Sequence, residues 1–144
     1  MQAQMLAPAA ALIAWSLVML FLIPLTRFPA LAKLGIKVSN APRGARGSDT
    51  EAQMPNTAKW ISHNYTHLME QPTIFYPAVI IIALSGAAGG DVTAAWIYVG
   101  LRVIHSLWQA FVNVVLVRFI LFLAMTGVLA YLGYRAVCLT MGGA

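Results

Sequence analysis

The chain has 144 residues, 60% of them hydrophobic and 9% charged, whereas soluble domains run at roughly 45–50% and about 25%. That excludes an ordinary soluble domain, a disordered chain and, with Cys138 as the one cysteine, a disulfide scaffold. The net charge of +5 does not point to nucleic acid, because the basic residues gather in one loop of a membrane-like chain and read as topology.

The pattern predicts a single all-α transmembrane domain over residues 1–144, an up-down bundle of four helices. The first apolar run covers about 5–26, with Pro8 near its start and Pro24 kinking or ending it. It has no basic residue before it and is too long for a signal peptide. Residues 27–59 form a polar loop in which Arg27, Lys33, Lys37, Arg43, Arg46 and Lys59 face only Asp49 and Glu51. The second run covers about 60–85, with Asn56 or Thr57 as N-cap. A glycine-rich turn follows, and Asp91 is placed to cap the third run, about 92–112. A break at Asn113 leads to the fourth run, about 116–137. Six of the nine Lys and Arg residues lie between the first two runs, so that loop is expected in the cytoplasm and both termini on the opposite side. Short connections after the second and third runs imply antiparallel neighbours.

Function is expected from polar groups inside these apolar runs, because an ionisable side chain at mid-bilayer costs at least about 2.5 kcal/mol. The second run contains His63, Asn64, His67, Glu70 and Gln71, whose spacing places them on one helix face. Pro72 cannot donate to the Leu68 carbonyl, so it is expected to kink the helix and free an acceptor beside Glu70. The third run carries Tyr98, Arg102, His105, Gln109 and Asn113 at helical steps, and Arg118 opens the fourth. Arg102 is the natural partner for Glu70, which leaves Arg118 and His105 to attract an anion. The plainer reading is that these groups lock helices or subunits together. Trp15, Trp60, Trp96 and Trp108 read as interface or packing residues.

The segments His63–Pro77, Ala95–Ser106 and Arg118–Phe119 resemble the MAPEG family, the membrane-associated proteins in eicosanoid and glutathione metabolism. The carriers are Glu70-Gln-Pro, the Arg-x-x-His of Arg102 and His105, and the interval of thirteen from His105 to Arg118. The sequence looks closest to bacterial members, which places it in an inner membrane. The resemblance implies a homotrimer with glutathione between adjacent subunits and a lipophilic electrophile arriving from the bilayer. It implies a glutathione-dependent transferase or peroxidase. Arg118 matches the arginine that stabilises the thiolate. Glu70 matches the glutamate at the glutathione amino end, and Arg102 and His105 match residues that hold or buttress the peptide. Arg27 corresponds loosely to a basic contact.

Four positions depart from the family pattern. His67 stands where glutathione-using members usually have asparagine, His63 where arginine is common, Gln109 where tyrosine is expected, and Phe119 where some have serine. Asn64 offers an amide in place of the lost contact, but its position does not match for a direct swap. These exchanges define the alternative function, a non-catalytic trimeric scaffold or accessory subunit that has lost glutathione. A metal site on His63, His67, Glu70 and His105 is a further rival. No resident metal is expected, because oxygen-using membrane di-iron enzymes need more than three histidines. A drug–proton antiporter would want its membrane carboxylate free, whereas Glu70 is outnumbered by arginines and histidines.

Overall fold

The computed structural model describes residues 1–142, and among them every regular element is helical. The helices are α1 (Gln2–Lys33), α2 (Asn56–Leu68), α3 (Pro72–Ser85), α4 (Gly89–Phe111) and α5 (Val115–Met141), with short 3₁₀ segments at Val38–Asn40 and Gly47–Gln53. α1 packs against α2, α3 and α4, while α5 packs against α3 and α4, so α1 and α5 lie on opposite sides of the bundle. Met5, Leu12, Met19, Leu68, Phe75, Ile82, Tyr98, Met125 and Leu132 fill its centre. The Phe75 and Tyr98 rings stack with centroids 4.4 Å apart. Around that core Phe21, Leu25, Leu84, Phe111, Val115 and Leu116 point outward. Such an apolar exterior suits hydrocarbon as its solvent.

The first predicted boundary moves. α1 does not end near Thr26 but runs through Pro24 and Pro29 to Lys33. Its last turns are held by a small satellite core in which Ala30 and Leu31 meet Met54 and Ala58. Local proline chemistry is overridden there by packing against α2. At about 1.5 Å per residue, α1 is about 48 Å long, well beyond an apolar slab of about 30 Å. Its C-terminal turns therefore have the length to project past the hydrocarbon.

The second run is two helices rather than one. α2 stops at Leu68 and α3 restarts at Pro72, where the missing N–H costs nothing in a first turn. Pro55, rather than Asn56 or Thr57, occupies the N-cap of α2. Asp91 does cap α4, from inside its first turn, by accepting the Ala88 N–H at 3.0 Å. Asn113 takes a left-handed φ of 58° and breaks the chain between α4 and α5 as expected.

Three segments are long and apolar enough to cross a membrane: α1, the α2–α3 rod and α5. The polar residues of α4 lower its hydropathy, yet they are the ones the fold buries: Tyr98, Arg102, His105 and Gln109 are all shielded. The outward face of α4 carries Trp96, Ile97, Ile104, Leu107 and Phe111.

Candidate functional site

The break in the second run creates the site. Without a donor at Pro72, the chain leaves helical geometry over Met69–Gln71, and backbone acceptors at the end of α2 lose their usual partners. The guanidinium of Arg102, reaching across from α4, donates to one of them, the His67 carbonyl. This is one residue before the Leu68 carbonyl that the sequence singles out. Arg102 is 1% exposed and also approaches the Met125 sulfur.

The expected Glu70–Arg102 ion pair is absent. Glu70 lies in the open link between α2 and α3, with its side chain 53% exposed, and its Oε2 pairs with His67 Nδ1 at 2.8 Å. The break that frees a carbonyl for Arg102 also turns Glu70 outward, so the two groups meet different atoms of His67. The other face of the His67 ring meets α5, where Arg118 Nη2 lies 3.3 Å from Nε2. Arg118 is steadied by Asn113 Oδ1 at 2.7 Å. The His105 ring sits edge-on to His67, with centroids 6.0 Å apart. His67, Glu70, Arg102, His105 and Arg118 therefore converge on one place, drawn from α2, the link, α4 and α5.

The remaining candidates go elsewhere. Asn64 is buried, and its amide donates to Ser106 Oγ at 2.6 Å, beside a contact to the Met19 sulfur at 3.2 Å. Trp15 donates to the same hydroxyl at 2.9 Å, so this tryptophan ties α1 to α4 rather than simply marking an interface. His63, expected on the face shared with His67, points outward and pairs with Glu51 at 3.0 Å. His63 and Asn64 flank the direction of His67 on opposite sides, about 100° apart around the axis, and packing takes Asn64 inward while His63 stays outside. Arg27 donates to Thr50 at 3.3 Å and lies over Gly47, so it serves the long connection rather than the cluster. Among the described residues, no three or more His, Cys, Asp or Glu side chains are grouped to hold a metal; His63 stands apart from the other proposed ligands.

Several buried polar atoms of the cluster and its surroundings have no protein partner. They include Arg102 Nε, Arg118 Nε, Gln109 Oε1 and Gln71 Oε1. Buried polar groups are normally satisfied, so unpaired donors on two guanidinium groups suit an anionic, hydrogen-bonding ligand. The MAPEG family model matches residues 5–138. The chain belongs to the MAPEG family. It is accordingly a membrane protein of a family tied to glutathione and eicosanoid metabolism. No curated protein and no solved structure matches it.

A second charged cluster went unnoticed in the sequence of this MAPEG chain. Asp91, fully buried at the start of α4, accepts from Arg135 Nε at 2.8 Å and Nη2 at 3.1 Å, and from the Tyr131 hydroxyl at 3.1 Å. The available signal was Arg135, a charge in the apolar fourth run with no other role.

Proposed function

We propose that this protein is a glutathione-dependent transferase or peroxidase that acts on lipophilic electrophiles, with Arg118 stabilising the glutathione thiolate. The observation that carries the reading is the placement of Arg118. It is half-buried, braced by Asn113, with Nη2 against His67 and an unpaired Nε. A free thiol with a pKa of about 8.5 is only a few per cent ionised at neutral pH. A permanently charged guanidinium in a poorly solvated place favours the anion. Glutathione also brings two carboxylates and an ammonium. Arg102 and His105 supply polar groups for the former, and Glu70, with Oε1 outside its His67 contact, suits the latter.

In this reading α4 is a fourth crossing, its polar residues turned inward and its apolar face to lipid. The long connection is cytoplasmic, the termini lie opposite, and the membrane is a bacterial inner membrane. Three copies would pack around shared sites, and the exposed Glu70 and half-buried Arg118 are consistent with a site completed by a neighbour.

The test is ultraviolet difference absorbance on adding glutathione to the detergent-purified protein, alongside Arg118→Ala. A thiolate band near neutral pH that vanishes in the variant is expected. No band and no heat of binding at millimolar glutathione would instead establish a scaffold that kept the fold and lost the cosubstrate.

A further inference from the structure

We propose that His67, oriented by Glu70, is the general base that removes the proton from the thiol whose anion Arg118 holds; this rests on the thiol-transfer reading above. The tautomer is the starting point. Nδ1 of His67 lies 2.8 Å from Oε2 of Glu70, and an ionised carboxylate only accepts, so Nδ1 carries the hydrogen. The neutral ring then keeps its lone pair on Nε2. That nitrogen faces Nη2 of Arg118 at 3.3 Å, and a guanidinium has donors only. A basic nitrogen and a fixed cation thus address one point. In the unliganded site Nη2 donates to Nε2, and a thiol that takes the place of this hydrogen bond meets an acceptor for its proton and a positive partner for its sulfur.

The ring is also aimed and reachable. Arg102 fixes the backbone by binding the His67 carbonyl, His105 closes one edge, and the His67 side chain remains 32% exposed. The charged or titratable groups around it are Glu70 from the link, Arg118 from α5, and Arg102 and His105 from α4. Oε1 of Glu70 is left for the ligand's ammonium, and through Oε2 the residue positions His67, in the way a carboxylate orients the base of a nucleophile–base pair.

The step balances. The S–H bond breaks, its proton passes to Nε2, and the electron pair stays on sulfur opposite Arg118. After the thiolate forms its bond to the electrophile, the Nε2 proton goes to the new carbanion or alkoxide or, where a halide leaves as the free anion, to water, which restores the neutral ring.

The experiment compares wild type, His67→Asn, His67→Gln, Glu70→Gln and Arg118→Ala as full chains in detergent. It reads glutathione binding by calorimetry and conjugation of an activated aryl halide between about pH 5 and about pH 9, across the range where imidazoles titrate. His67→Asn is expected to bind glutathione normally, to lose about 100-fold in rate at neutral pH, and to regain rate as alkaline pH ionises the thiol unaided. Glu70→Gln should lose less and shift the acid limb of the profile. Arg118→Ala should be slow at every pH. His67→Gln repeats the test should the asparagine variant fold poorly. Normal binding with a wild-type rate and pH profile in the His67 variants overturns the base and leaves the thiol-transfer reading intact. Loss of glutathione binding in those variants also overturns it, since His67 would then be a ligand contact. A wild type that binds no glutathione overturns both.

Discussion

At the start of α4, both carboxylate oxygens of Asp91 are engaged, by Arg135, Tyr131 and the Ala88 N–H. Toward the other end of the same helix, Arg102 and Arg118 each keep an unpaired Nε, and the one nearby carboxylate, Glu70, faces outward. Both clusters combine arginine with a single carboxylate, and they differ in completeness. The first repays the cost of burying charge with its own hydrogen bonds and clamps α4 to α5. The second is left with donors that an anion can satisfy. Charge in an apolar helix does not by itself mark a site; charge left unsatisfied marks a candidate.

This contrast can be broken from either side. The largest expected effect is at the open cluster: Arg118→Ala should lower conjugation about 100- to 1,000-fold, as removal of a donor to a developing anion typically does. Its thermal midpoint in detergent should stay unchanged. Arg102→Met comes next. It removes a charge-assisted hydrogen bond, of about 1.5–3 kcal/mol, and leaves the His67 carbonyl only the Glu70 N–H at 3.3 Å, so both the melting temperature and glutathione binding should fall. Asp91→Ala sharpens the comparison at the closed cluster. Loss of the cap alone costs about 1 kcal/mol, so stability should drop while the rate per folded molecule is retained. A rate loss there comparable to that of Arg118→Ala would dissolve the distinction. The smallest effect belongs to His63→Gln. An exposed pair with Glu51 contributes little, so neither stability, activity nor metal content, read by elemental analysis, should change.

The polar face of α4 in the candidate site was legible because helical spacing is a local property. The steps from Tyr98 to Arg102, His105 and Gln109 place them on one face, and all four are buried together. Pro72 announces the break before α3, because a missing N–H acts wherever it stands. Partner choice was not legible. Glu70 and Arg102 are matched by charge, yet the break turns Glu70 to His67 Nδ1 and leaves Arg102 the His67 carbonyl. Asn64 and His63 are neighbours in sequence, but one is sealed against Ser106 and the other opens to Glu51.

The sequence by itself determined the membrane character of the chain, its helical runs, its MAPEG membership and the polar stripe of α4. The membrane character, the helical runs and the stripe follow from composition and from periodicities of a few residues, while membership rests on specific motifs and on the family match over residues 5–138. The tertiary structure alone decided how far α1 extends past its prolines, which acceptor Arg102 takes, and that His67 bridges Glu70 and Arg118 while Asp91 closes on Arg135. Each of those depends on atoms brought together from distant parts of the chain. In a low-dielectric interior, small differences in reach and orientation select among partners of equal formal charge.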